Sequence, residues 1–318
     1  MLTLDPKELA TKDLHGYLLS SVGPRPIALA STVDENGRPN LSPYSFFNVF
    51  SANPPIAIFS PARRVRNNTT KHTLENVALT KEVVINVVSH SIVEQTSLSS
   101  SEYEAGIDEF VKAGFTPIPS DIVKPFRVKE SPVQMECVVK EIVSLGTEGG
   151  AGNLVICEIV KIHVSEHILD EQQQIDPHKI DLVGRMGANW YCRASGEAIF
   201  EVQKPNSKIG IGYDQLPIRV RNSFILSGND LAKLANFEKI PSEELVEIFS
   251  DLHPEDTAGQ MTGEVHLSDG TIIKTDSLRV DMDGGRIILS EEKSSMYQTN
   301  KRNWIQELIF YKNKQRQS

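Results

Sequence analysis

Apolar and polar positions divide this chain into a long stretch of short, strand-like runs and a shorter stretch of mixed character. Residues 7–20 place Leu9, Leu14, Leu18 and Leu19 along one side of a short helix. After Gly23-Pro24 the reading turns to strands. A run at 27–32 ends in Asp34-Glu35-Asn36-Gly37, and Asn-Gly between strand-like segments is a strong hairpin signal. The pattern predicts a returning strand over about 39–47 and another at Ile56-Ala57-Ile58-Phe59-Ser60. Residues 70–80 read as a short helix with Leu74, Val77 and Ala78 on one face. The run 83–88 is mostly β-branched and too short for a buried helix, so it reads as a strand. A helix is predicted near 91–99 and a proline-rich loop at 117–125. Val133, Met135, Cys137 and Val139 alternate with polar or smaller neighbours, and 154–164 is apolar at nearly every even position. The glycine-rich run 146–153 would join these two as an antiparallel pair.

At least six strands with hairpin connections and few helices predict an antiparallel barrel or sandwich. Strands and long helices do not alternate, which argues against a doubly wound parallel sheet. The composition shifts near 202–207. Beyond it, 228–251 reads as helical, with Leu231, Leu234, Leu245, Ile248 and Phe249 as core positions. Residues 264–289 return to strands, punctuated by turns at Asp269-Gly270 and Asp283-Gly284-Gly285. The expected organisation is a mainly β domain over 1–204 and a smaller α+β module over 205–318.

Composition narrows the function without choosing it. A formal net charge of −9 over 318 residues argues against bulk binding to nucleic acid or to anionic membranes. Cys137, Cys157 and Cys192 form no CxxC pair, which fits a reducing compartment and speaks against a cysteine-bound metal. The eight histidines show no HxH or HExxH spacing, so no metal is expected. The first residues are polar with no apolar signal-peptide core, and no run approaches the ~20 apolar residues of a membrane span. A soluble, cytoplasmic protein is expected. The run 146–152 does not match G-x-G-x-x-G, and no strained G-x-S-x-G turn is present. Lys301-Arg302 and the basic tail at 312–316 read as a solvated end.

One segment has the makings of an anion seat. A helix beginning near Thr70 offers free backbone N–H groups and the positive end of its dipole. Thr69, Thr70 and Thr73 add hydroxyls, and Arg63, Arg64, Arg66 and Lys71 add positive charge at or just before the first turn. Basic residues there oppose the dipole by up to ~1 kcal/mol each, which is easier to understand if an anion sits among them. No Glu or Gln follows Thr69 or Thr70 at three residues, so no capping box is expected and the hydroxyls should be available. The plainer reading is a solvated arginine loop with a threonine cap.

Five segments occur in order: Arg25-Pro26-Ile27-Ala28-Leu29-Ala30-Ser31-Thr32, Asn40-Leu41-Ser42-Pro43-Tyr44-Ser45-Phe46-Phe47-Asn48, Asn53-Pro54-Pro55-Ile56-Ala57-Ile58-Phe59-Ser60, Thr70-Lys71-His72-Thr73-Leu74-Glu75-Asn76-Val77 and Val83-Val84-Ile85-Asn86-Val87-Val88. With Asp181-Leu182-Val183-Gly184-Arg185-Met186-Gly187 and Trp190-Tyr191, the set resembles the flavin reductase-like family of FMN-binding split barrels. The resemblance ends near residue 195 and does not reach the region beyond 205. It implies an antiparallel Greek-key split barrel that binds FMN and takes hydride from NAD(P)H as a transient co-substrate. It also implies a homodimer serving a partner oxygenase or electron-transfer protein.

By family position Ser60 becomes a further phosphate ligand. Ser42, Pro43, Tyr44, Ser45 and Phe46 would line the isoalloxazine, and Arg185 with Tyr191 would close the pocket. With Arg66, Thr69, Thr70, Lys71 and Thr73 these form the expected cofactor site. Strand alternation sends Tyr44 and Phe46 to one face and Ser45 and Phe47 to the other, so all cannot meet one ring unless the strand bends. No acid–base pair is apparent, and hydride transfer to a flavin demands little of one. Two other readings stay open: an electron carrier reduced by a protein partner, and a barrel without catalysis.

Overall fold

The computed structural model describes residues 1–240, apart from 105, 203, 206–208, 224 and 225, together with the backbone of three strands between 261 and 290. The chain divides into two compact units, Met1–Glu201 and Val202–Ser318. The expected core positions Leu245, Ile248 and Phe249, both Asp-Gly turns, and the basic end at 301–316 lie outside the described residues.

The first unit opens with helix α1 (Thr11–Ser21), then β1 (Ala28–Val33), β2 (Pro39–Tyr44), β3 (Phe47–Ala52) and β4 (Pro55–Phe59). Helix α2 (His72–Thr80) leads directly into β5 (Glu82–Val87). Two short helices follow, α3 (Val93–Leu98) and α4 (Glu109–Ala113), then a small ribbon of β6 (Pro117–Ile118) and β7 (Arg127–Val128). The long strands β8 (Val133–Ser144) and β9 (Asn153–Val164) precede a final ribbon, β10 (Val183–Arg185) and β11 (Tyr191–Arg193).

Seven strands form one antiparallel sheet in the order β2-β1-β5-β8-β9-β4-β3. Its two edge strands are halves of a single chain segment, interrupted only at Ser45 and Phe46. The sheet therefore curls until its first and last strands meet, which is the split barrel. Alternation explains what fills it: Ala28, Ala30, Val83, Ile85, Met135, Cys137, Val155, Cys157, Ala57 and Phe59 point inward and are buried. The opposite face of β1 and β2 is also covered. Leu29 and Leu41 pack there with Phe110, Ala113 and Phe115 from α4 and the turn after it. This is why β1 is buried at all six positions.

Three expectations are corrected. The strand over 39–47 breaks in two, and the break resets its alternation. Tyr44 and Phe47 both pack against the barrel core, whereas Phe46 is 40% exposed. Helix α2 starts at His72, with Lys71 in the cap position. Helix α1 buries none of its residues, and Leu18 is 50% exposed, so its apolar stripe meets no core in this chain.

The second unit contains α5 (Ile218–Arg221), α6 (Gly228–Ala235) and a meander β12 (Met261–His266), β13 (Ile272–Asp281) and β14 (Arg286–Ser290). Ser227 caps α6 in a reciprocal box with Asp230. Leu231 and Leu234 of that helix pack with Leu216 and Val220.

Candidate functional site

The loop between β4 and α2 is held by glycines at a distance in sequence. The turn joining β8 to β9 lies against it: Arg63 N–H donates to the Ala151 carbonyl (2.9 Å), Gly150 N–H to the Arg63 carbonyl (2.9 Å), and Asn153 Nδ2 to the Pro61 carbonyl (3.0 Å). A Cβ on Gly149 would stand 2.9 Å from Val65 Cα and 3.1 Å from the Arg64 carbonyl oxygen. The glycine-rich run is thus a buttress, and its glycines permit close backbone approach.

Within the loop, Arg63 is structural. Its guanidinium donates to Asn68 Oδ1 and to the Asn68 carbonyl, both at 2.6 Å, across a turn in which Asn68 takes the left-handed conformation (φ 54°). Arg64 donates to Thr69 Oγ1 (3.0 Å) and to the Thr70 carbonyl, which turns its charge toward the start of α2.

A small, partly open cleft lies at that point. It is lined by Asn40, Ser42 and Tyr44 of β2, by Arg64, Lys71, His72 and Thr73, and by the segment Ser99–Tyr103 after α3, with Glu109 beneath. Lys71 stands over the Tyr44 ring, 5.2 Å from its centroid. Burial, and then the neighbouring Arg64 charge, lower the Lys71 pKa from the ordinary lysine value. Helix α2 has no side-chain cap, and among the described residues the backbone N–H groups of His72 and Thr73 find no acceptor. The Tyr44 hydroxyl is buried beside Ser42 and Thr73 with no partner in good hydrogen-bonding geometry among the described residues, and burial pushes its pKa up to about 12. Two cations, free helix N–H groups and an orphaned hydroxyl in one small cleft suit an anion carrying several oxygens.

A buried polar network forms the floor. Glu109 Oε2 accepts from Asn40 Nδ2 (3.1 Å) and Leu41 N–H (3.0 Å). Asn40 Oδ1 accepts from Thr73 Oγ1 (2.8 Å) and Thr32 Oγ1 (3.3 Å), and Asn76 Nδ2 donates to Thr32 Oγ1 (3.0 Å). These bonds fix β2 against the first turn of α2, setting the two walls of the cleft. Burial raises the Glu109 pKa above the usual carboxylate value.

The expected site residues are distributed unevenly. Ser42, Tyr44, Lys71 and Thr73 come together in the cleft. Pro43, Ser45 and Phe46 continue along the same segment into the break between β2 and β3. The Thr69 hydroxyl donates to Asn67 Oδ1 (2.9 Å) and the Thr70 hydroxyl to Glu75, so neither is available as expected. Arg66 is an exposed residue paired with Glu102 (2.6 Å). Ser60 is buried where β4 ends, with its Oγ 2.7 Å from where a Cβ on Gly152 would lie.

Arg185 belongs to a different locality, its guanidinium 4.6 Å from the Tyr191 ring centroid. Its backbone bridges Arg25, whose own buried guanidinium donates to the Leu19, Val22 and Met186 carbonyls and so ties α1 to β10.

The sequence reading missed Asn40, Glu109 and Ser99–Ser101. The serine run at 99–101 was the available signal, but nothing local shows that it faces β2.

Asp121, Glu136 and His163 also cluster. Glu136 is buried and accepts from three backbone N–H groups and from His163, while Lys161 pairs with Asp121 (2.5 Å). The Glu136 oxygens are already engaged and a cation is already present, so the cluster is a structural lock.

A split barrel with an anion-receptive cleft beside the break between β2 and β3 defines a recognisable class. Residues 20–179 match the family described as the flavin reductase like domain. The chain belongs to that family. An uncharacterized protein of Aquifex aeolicus is 36% identical over 196 residues, covering 62% of this chain and 97% of the relative. Nitrilotriacetate monooxygenase component B from Bacillus cereus superposes with a TM-score of 0.59 at 31% identity, covering 64% and 98% of the two chains. A split barrel domain from Shewanella frigidimarina NCIMB 400 gives 0.55 at 28% identity, covering 64% and 100%. These matches account for roughly the first two-thirds of the chain. Among the described residues no helix is long and apolar enough to cross a membrane.

Proposed function

We propose that this chain is an FMN-dependent oxidoreductase that accepts hydride from NAD(P)H. The observation that carries the reading is the cleft itself. Arg64, Lys71, the free N–H groups of His72 and Thr73 and the orphaned Tyr44 hydroxyl meet there, in a member of the flavin reductase family. These groups fit a phosphomonoester. Arg64 and Lys71 neutralise its charge, the helix N–H groups take its oxygens, and Ser42 and Thr73 border it. Arg66 acts only through its ion pair.

The bound flavin supplies the hydride-accepting chemistry. The chain would bind and orient it, with Ser42-Pro43-Tyr44-Ser45-Phe46 as the residues lining the ring. Arg185 and Tyr191 would close the pocket in this reading.

The name of the Bacillus cereus relative, a monooxygenase component, supports transfer of the reduced flavin to a partner oxygenase or electron-transfer protein. A homodimer is part of the same proposal. Strand β3, last in the sheet order, exposes Val49 (53%) and Phe50 (64%), an apolar surface suited to a second copy. The test is anaerobic mixing of the FMN-loaded protein with NADH and with NADPH. Bleaching near 450 nm by at least one donor is expected, and loss of the flavin band with neither would sink the proposal.

A further inference from the structure

The cleft is not purely cationic. Glu102, on the segment after α3, places Oε1 3.3 Å from Arg64 Nε and Oε2 2.6 Å from Arg66 Nη2. Its side chain is 53% exposed, and the Arg64 and Arg66 charges hold its carboxyl below the usual carboxylate range despite the burial that opposes them. The Arg64 side chain is only 19% exposed. Arg64 therefore has one anionic partner among the described residues, and that partner lines the same cleft as Ser42 and Tyr44. The other acid in the cleft, Glu109, is committed to Asn40 and Leu41 and is no rival for the arginine.

We infer that Glu102 is a displaceable counter-ion of the phosphate seat, which the phosphate of the flavin must evict from Arg64. The inference rests on the proposal that this cleft takes the flavin phosphate. Two anions cannot share the Arg64 guanidinium edge at hydrogen-bonding distance without strong mutual repulsion. A dianionic phosphomonoester outcompetes a single partly exposed carboxylate, because it also gains Lys71 and the helix N–H groups. A flavin without phosphate leaves the carboxylate where it is. Glu102 thus lowers the advantage of FMN over riboflavin and makes the bound cofactor easier to release. For a flavin handed between proteins, that is a specificity and exchange setting built into the chain.

The test compares Kd values for FMN and riboflavin, by fluorescence quenching, in the wild type, Glu102→Gln and Arg64→Gln. Removing the competing charge abolishes two partly exposed ion contacts, so Glu102→Gln is expected to bind FMN about three- to tenfold more tightly. Riboflavin affinity should be unchanged, and FMN dissociation should slow by a similar factor. Unchanged or weaker FMN binding in Glu102→Gln, while Arg64→Gln still weakens FMN more than riboflavin, overturns the counter-ion role alone. It would make Glu102 a bystander or a residue that positions Arg64. Equal losses of both flavins in Arg64→Gln remove the phosphate seat and the inference with it. Glu102 is half exposed and bonded only through its carboxylate, so the variant should fold, and unchanged circular dichroism and Tm would confirm it.

Discussion

Glu136 allows the stability of the barrel to be tested quantitatively. Its carboxylate is fully buried on β8. Oε1 accepts from Asp121 N–H (2.9 Å) and His163 Nε2 (2.6 Å), and Oε2 from Ile122 N–H (2.7 Å) and Val123 N–H (3.1 Å). Burial alone would raise its pKa. The backbone donor at Asp121, the His163 ring and the donors at Ile122 and Val123 outweigh burial and pull it from 4.5 to about 2. A depressed carboxylate pKa stabilises the fold fully above the unfolded value, near 4.5, and the contribution is lost as pH falls from there toward 2. A difference of roughly two and a half units corresponds to about 3 kcal/mol. Glu136→Gln removes the charge and turns an NH₂ group toward backbone N–H donors, so the full amount should be lost at neutral pH. For a unit of this size that is a fall in Tm of about 6–12 °C. Thermal melts of both proteins between pH 7 and pH 3 check it. The gap should be widest at pH 7 and should narrow below about pH 4.5. A gap worth less than ~1 kcal/mol at neutral pH, or one indifferent to pH, would refute the reasoning.

Other perturbations test other links. Gly149→Ala puts a Cβ against the backbone of Val65 and Arg64, which must shift. FMN binding should weaken about tenfold with riboflavin much less affected, as overpacking of a rigid contact implies, and titration with both flavins checks this. Phe50→Asp places a charge on the exposed apolar surface of β3. Light scattering should show a shift from dimer to monomer with little change in Tm, and a dimer that survives the change would move the interface elsewhere. Arg25→Lys loses the planar fork that reaches the Leu19, Val22 and Met186 carbonyls. Limited proteolysis should then cut within residues 11–22 faster than in the wild type, with the far-UV circular dichroism of the barrel unchanged.

The barrel was legible because its strands alternate cleanly. Val83 and Ile85 on β5 and Met135 and Cys137 on β8 sit on one side at period two, and all face inward. That Arg64 and Lys71 lie together where α2 begins was legible for a different reason, the concentration of cations there in the sequence. Thr69 and Thr70 misled because a hydroxyl in sequence says nothing of its partner. Asn67 and Glu75, nearby in the chain, occupy them in the fold. Asn40, Glu109 and Ser99–Ser101 reach the cleft only through long-range packing of α3 and α4 on β2, which no local period encodes. The face of Phe46 was misjudged because one break in a strand inverts every residue after it. The glycine-rich turn at 146–152 reads in sequence only as the connection between two strands; its buttressing role appears only when the loop at 61–70 lies against it.

The central claim is that the cleft at Arg64, Lys71 and the first turn of α2 seats the phosphate of a flavin. The most direct measurement is a paired titration of flavin-free protein with FMN and with riboflavin, in the wild type and in the Arg64→Gln/Lys71→Gln double variant. Each charge-assisted contact is worth about 1.5–3 kcal/mol. The double variant should therefore lose at least a hundredfold in FMN affinity and less than threefold in riboflavin affinity. Equal losses for the two flavins, or wild-type protein that binds neither, would contradict the account.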